Sequence, residues 1–292
     1  MGLRPRSHPF QLHRGTRQGC LLSPLVFALV LEPLAIAIRQ NSNIVGIKAG
    51  GKEHKLLLYA DDILLLCRRP STTIPHILTL IDSFSGASGY KINWSKSEAM
   101  PLSRLCPPSV RQGWQFSWQT SGLTYLGINI TLRLDNIMTI NLLPLIQITE
   151  FMLRNWTKLG LSLLCKINIL KLAIVPKMNY ISNMLPLSLP CNALLKYKEA
   201  VYNFLWAGNK PYINRTKLYA AIEDGGLGLR HIAWYHYAFC LKQLSKLYMT
   251  ADQAPAWVVI EKELRYPYPV QAFITQTSDV IPYNTPVLTF SH

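Results

Sequence analysis

Residues 56–67 read LLLYADDILLLC, with two adjacent aspartates, Asp61 and Asp62, inside an otherwise apolar run. Lys55–Tyr59 and Ile63–Cys67 are each of strand length, and the polar interruption between them reads as a turn. A tight hairpin bending at Ala60-Asp61-Asp62-Ile63 exposes both carboxylates at its tip, where aspartate is well tolerated. Beside buried leucines, two unpaired negative charges repel each other and are poorly solvated. A hard divalent cation relieves both problems, and Mg²⁺ is usually held by one or two carboxylates plus phosphates. An ordinary solvated turn explains the bare dipeptide as well.

The 292 residues suffice for one large domain or two ordinary ones, and 49 % hydrophobic residues excludes a disordered chain. Lys and Arg number 30 against 15 Asp and Glu, a net charge of +15. That excess points to a polyanionic partner, nucleic acid first and an anionic membrane surface second. Arg4, Arg6, Arg14 and Arg17 precede the first acid, Glu32. From Phe151 to Lys217 ten Lys or Arg accompany one acid, Glu199, interleaved with Trp156, Tyr180, Tyr197, Tyr202, Trp206 and Tyr212. Such interleaving suits a surface that follows a phosphate backbone. A helical bundle with lysines snorkelling off its apolar faces produces the same pattern.

Cys20, Cys67, Cys106, Cys165, Cys191 and Cys240 form no CxxC clip. They read as buried thiols of an intracellular protein, nuclear or cytoplasmic, without disulfides or zinc. The stretch CLLSPLVFALVLEPLAIAI, Cys20–Ile38, is nearly long enough to cross a bilayer. Glu32 and Pro33 near its centre are costly there, so no stable membrane association is expected.

The expected fold class is α+β. Ser23-Pro24 opens a helix to about Gln40, apolar nearly all round and therefore expected to be buried. Ile74–Phe84 has helical spacing and ends at Gly86–Gly89. YKINWSKSEAM, from Tyr90, alternates like a strand, and so does LTYLGINITL, Leu123–Leu132. After Asn141 the period is helical. Leu163, Ile167, Leu170 and Ile174 form a stripe flanked by Lys166 and Lys171, and further helices span about Asn192–Trp206 and His231–Tyr248. EDGGLGL, between these last two, is a turn. Three segments follow: a mixed half over 1–135, a basic helical half over 136–250, and a loosely ordered tail over 251–292.

Four segments in order resemble the palm of reverse transcriptases of non-LTR retrotransposons, of the long interspersed element type. They are GTRQGCLLSPLVFALVLEPLA from Gly15, YADD at 59–62, SGYKINWSKSE from Ser88 and YLG at 125–127. FLW at 204–206 and GGLGL at 225–229 resemble the thumb and its continuation. The resemblance runs from about Phe10 to Tyr248, and Leu21 stands where the family usually has proline. It implies a partial polymerase palm of antiparallel strands and packed helices, then an α-helical thumb-like region.

It implies roles as well. Asp61 and Asp62 are the catalytic, Mg²⁺-binding pair, with two ions in the intact family. Arg17, Gln18 and Gly19 contact nucleotide and template, and Tyr59 packs near the primer end. Lys96, or else Lys91, lies by the leaving pyrophosphate, and Tyr125, Leu126 and Gly127 form the primer grip. The partners implied are an RNA template and a DNA primer. The family's other metal-binding aspartate lies on a strand ahead of the glycine loop, whereas Asp61 is the first aspartate of this chain. The expectation is therefore an N-terminally truncated RNA-directed DNA polymerase domain, inactive by itself. It is expected to aggregate or to depend on a partner supplying the missing palm strands. The alternative is a co-opted, non-catalytic basic RNA- or DNA-binding module.

Overall fold

The computed structural model describes residues 20–103, 106–250 and 252–265, so Arg17, Gln18 and Gly19 lie outside the described residues. The chain divides into two compact units, one of Met1–Ser97 with Leu105–Ser117 and one of Glu98–Arg104 with Trp118–His292. The class is α+β as expected: helices with small two-stranded sheets.

In the first unit, α1 (Ser23–Gln40) starts with Ser23 and Pro24 in its first turn, suiting a proline whose N–H has no helical partner. A Gly50-Gly51 turn joins β1 (Ile47–Ala49) to β2 (Lys52–His54), and β3 (Leu56–Tyr59) pairs with β4 (Asp62–Leu65). Helix α2 (Pro70–Ser88) begins before the expected Ile74 and stops at Gly89, whose φ of 74° ends a helix without steric cost. The buried Thr73 hydroxyl donates to the Arg68 carbonyl at 2.7 Å and fixes the entry to this helix. Short α3 (Pro108–Gly113) completes the unit.

Leu34, Ala35, Ile38, Ile44, Leu56 and Ile77 form its core, with Leu58, Ile63 and Leu65 against them. The expected all-round burial of α1 is corrected here. Its C-terminal half is buried at Leu31, Leu34, Ala35 and Ile38, whereas Leu25 and Leu29 are exposed. The cause is supply: among the described residues one small core meets α1, and it covers one end.

YKINWSKSEAM is also not a strand. Side chains alternate in exposure from Lys91 to Ser95, yet the only regular backbone is a 3₁₀ turn at Trp94–Lys96 and then β5 (Glu98–Ala99), which pairs with β6 (Ser117–Trp118). The Asn93 carbonyl accepts from the Lys96 N–H at 3.0 Å, and its side-chain oxygen accepts from Ser95 Oγ at 2.7 Å. Local polar bonds of this kind compete with a ladder.

In the second unit, the run expected as one strand over Leu123–Leu132 is a hairpin, β7 (Gly122–Tyr125) and β8 (Ile128–Thr131). It packs on α4 (Ile137–Thr157), so the expected boundary at 135 falls inside this unit. Helix α5 (Leu163–Ile169) passes through a π turn, Leu170–Ile174, into α6 (Val175–Met184). Helices α7 (Cys191–Trp206), α8 (Arg215–Tyr219) and α9 (Ile232–Lys246) follow.

The predicted stripe is real: Ile167, Leu170 and Ile174 are buried in the main core with Ile146, Leu153, Met178 and Phe204. The flanking lysines are structural. Lys166 is buried, donating to the Leu205 carbonyl at 3.1 Å over the Phe204 ring, and Lys171 reaches the Leu227 carbonyl at 3.4 Å. The segment expected to be loose from 251 contains a helix, α10 (Ala256–Arg265). Val258 of that helix packs on Leu247, and residues from 266 lie outside the described ones.

Candidate functional site

Strand register builds the tip of the β3–β4 hairpin. Leu56 pairs with Leu65 and Leu58 with Ile63, and these four face the core, which turns Leu57, Leu64, Tyr59 and Asp62 to the other side. Tyr59 pairs directly with Asp62, so phenol and carboxylate share the open face within about 5 Å at Cβ. Ala60 and Asp61 form the two-residue turn. Ala60 has φ 50°, a left-handed conformation costing a Cβ-bearing residue about 1 kcal/mol. The strands' apolar faces leave the turn nowhere else to go, and Asp61 and Asp62 both stand in solvent.

Among the described residues, neither Asp61 nor Asp62 has a hydrogen bond or ion pair, and Tyr59 is 63 % exposed beside them. The two earlier acids are committed elsewhere. Glu32 pairs with Arg39 at 2.8 Å. Glu53 accepts the Gly46 N–H at 2.9 Å and lies 3.6 Å from the Lys55 ammonium; the amide first, then that ammonium, hold its carboxyl below the usual range. Among the described residues no three acid, histidine or cysteine side chains gather. The donor set fits part of one hard cation's shell and lacks what a two-ion cluster requires. The cysteines, expected to be buried, add nothing to it: Cys20, Cys165 and Cys191 are exposed, Cys67 and Cys106 half-buried, and Cys240 is buried.

Lys91 and Lys96 occupy a separate loop of the same unit. The Tyr90 ring lies parallel to Phe84 at 6.3 Å and edge-on to Phe27 at 5.9 Å, which pins the loop beside the exposed Lys91. Trp94 meets Phe116 at 5.4 Å and sets the turn that ends at the exposed Lys96. Among the described residues neither lysine has a carboxylate partner.

Tyr125, Leu126 and Gly127 belong to the second unit. Leu126 and Gly127 have φ 49° and 72°, the paired left-handed geometry of a tight hairpin turn. Two residues outside the motif hold this hairpin. The Tyr180 hydroxyl of α6 donates to the Leu126 carbonyl. Asn141 of α4 accepts the Asn129 N–H at 2.7 Å and donates to the Asn129 carbonyl at 2.9 Å and the Ile137 carbonyl at 2.8 Å. Sequence reading missed both, although an asparagine among Ile140, Leu142 and Leu143 carries a signal: a buried amide needs partners.

The basic stretch from Phe151 to Lys217 is less uniformly outward than its composition implies, since Lys166, Tyr197 and Trp206 are buried. A groove of about 670 Å³ between α4 and α7 is lined by Arg154, Lys158 and Lys196 together with Glu150 and Glu199. Its charges nearly cancel, so it selects no anion.

Residues 3–130 are similar to the family described as "Reverse transcriptase (RNA-dependent DNA polymerase)", a match over less than half of the chain. Over 258 residues the chain is 25 % identical to the "Transposon TX1 uncharacterized 149 kDa protein" of Xenopus laevis. That stretch is 86 % of this chain and 19 % of the relative, so the chain spans about a fifth of the protein it matches.

Proposed function

We propose that this chain is a palm-and-thumb portion of the reverse transcriptase of a non-LTR retrotransposon, and that the 292-residue polypeptide by itself does not polymerise. One observation carries the reading: Asp61 and Asp62 stand unpartnered at an exposed hairpin tip, inside the stretch that matches the reverse-transcriptase family. When bound there, Mg²⁺ would supply positive charge toward phosphate oxygens. Asp61 and Asp62 are the residues that would hold it, with Tyr59 packing at the primer end. Leu57, Tyr59 and Asp62 on that face of the hairpin are exposed. Lys91 and Lys96 would meet phosphate charge, Arg17, Gln18 and Gly19 the nucleotide and template, and Tyr125–Gly127 the primer strand. The setting proposed is intracellular, with an RNA template and a DNA primer as partners.

Two measurements test this. Mn²⁺ binding followed by water-proton relaxation is expected to be weak and to disappear in Asp61→Asn; equal binding by that variant removes the metal role. Primer extension on an RNA template with Mg²⁺ is expected to give no product, because two carboxylates cannot hold two ions across a phosphoryl transfer. Incorporation that Asp61→Asn abolishes would disprove the inertness. A second reading, a nucleic-acid-binding module without polymerase chemistry, is favoured because no third acid, histidine or cysteine side chain gathers with Asp61 and Asp62 among the described residues. It predicts salt-steep RNA binding with no Mn²⁺ site at the hairpin.

A further inference from the structure

Helix α9 is amphipathic in an unusual sense. Ile232, Ala233, His236 and Cys240 are buried, while its outward face carries Trp234, Tyr237 and Leu241, at 65 %, 59 % and 65 % exposure. At 3.6 residues per turn these three fall within an arc of roughly 60°, and Tyr248, just past the helix, continues the line. Two large aromatic rings side by side in water are costly to maintain and need an explanation.

Trp234 is also held in place from behind. Its indole lies 4.8 Å from the His231 ring at an interplanar angle of 32°, and His231 meets the Tyr219 ring edge-on at 5.1 Å. The chain thus contains a three-ring stack whose outer member is open to solvent. Cations flank it. Lys198 is near enough to His231 to act on it electrostatically, the Arg230 guanidinium sits over the Tyr235 ring at 5.3 Å, and the exposed Lys242 lies roughly 80° round the helix from Trp234. Between His231 and Thr250 the chain has no acid.

We propose that the outward face of α9, centred on Trp234 and Tyr237, is a stacking platform for single-stranded RNA. Every base offers a π face, so ordered rings beside cations bind a single strand without needing its sequence. Exposed Trp and Tyr also suit protein partners, so the choice of a polyanion rests on the neighbouring cations and on the absence of acids along the helix. The acid-free, cation-edged ring face complements a polyanion with flat bases. The proposal shares the class of ligand with the reading above but rests on different residues, so the two fail separately.

The test uses the full chain and a fluorescein-labelled oligouridylate, followed by anisotropy over a series of salt concentrations. Trp234→Ala with Tyr237→Ala is expected to weaken binding roughly tenfold or more while leaving the salt slope unchanged. Lys242→Ala is expected to lower that slope by up to about 1. Trp234→Phe with Tyr237→Phe should retain binding, and Trp234→Leu with Tyr237→Leu should lose it while keeping the apolar area. If the alanine pair perturbs the helix signal in circular dichroism, the Phe and Leu pairs decide. Unchanged affinity in the alanine or leucine pair overturns the platform, as does absence of RNA binding by the parent chain. Loss of Mn²⁺ binding in Asp61→Asn bears on the hairpin only.

Discussion

Asn141 does more than any other single side chain to hold the β7–β8 hairpin against the helices. Its amide makes three hydrogen bonds, two of them to both polar backbone atoms of Asn129, from a position 6 % exposed. Asn141→Ala removes the partners of the part-buried Asn129 N–H and carbonyl and of the buried Ile137 carbonyl. The expected cost is about 2–3 kcal/mol, read as a lower urea midpoint with unchanged slope. Tyr180→Phe removes one bond at a half-exposed turn, so its loss should be about 0.5–1 kcal/mol. A Tyr180 effect equal to that of Asn141 would contradict this ranking. The contrast with Asp61 and Asp62 is instructive. Asn141 is a buried polar group bonded within the fold, while the two aspartate carboxylates are exposed and have no protein partner among the described residues.

At the level of elements, the EDGGLGL turn shows why a glycine-rich loop is more than a gap between helices. Leu227 N–H donates to the Lys217 carbonyl and Leu229 N–H to the Leu218 carbonyl, at 2.8 and 3.0 Å, so the segment folds back along α8. A Cβ at Gly226 would lie 2.2 Å from the Ala220 carbonyl oxygen and 2.6 Å from the Ala220 Cβ. Gly226→Ala therefore has to push the loop off α8, and about 1–3 kcal/mol of destabilisation is expected in thermal or urea unfolding. A neutral result would mean the loop does not pack as described.

This turn, the helices α1, α4, α7 and α9, and the β3–β4 hairpin were legible because each follows from local chemistry: apolar period, proline and glycine at ends, and aspartate at a bend. What escaped reading depended on distant partners. Asn141, Tyr180 and Lys166 are ordinary residues by composition, and their roles exist only because β8, Leu126 and Leu205 arrive beside them. YKINWS alternates as a strand should, yet its local polar bonds and the lack of a partner strand among the described residues leave it unpaired. For the hairpin tip, sequence placed the aspartates correctly but could not show that Glu32 and Glu53 were already engaged.

For the whole molecule, two opposing surface terms set its behaviour in solution. Helices α1 and α4 are both long and apolar enough to cross a membrane, but their settings differ. Helix α4 buries Ile137, Met138, Leu142, Ile146 and Leu153 in the main core, which accounts for its composition without a bilayer. Helix α1 leaves Leu25 and Leu29 open one turn apart, at 62 % and 73 % exposure, beside Leu22 and Val26. That stripe attracts copies of the chain to one another, while the net charge of +15 drives them apart. Salt shortens the reach of the repulsion, to about 8 Å at 0.15 M, and leaves the apolar attraction intact. Self-association should therefore increase with salt, opposite to RNA binding, which salt weakens. Sedimentation velocity at low and high salt measures it. Leu25→Lys with Leu29→Lys is expected to abolish the salt-driven association and, because both side chains are exposed, to change folding stability by no more than about 0.5 kcal/mol each. Association that persists in this variant places the contact elsewhere on the chain, and flotation of the parent chain with uncharged phosphatidylcholine vesicles would assign the stripe to a bilayer instead.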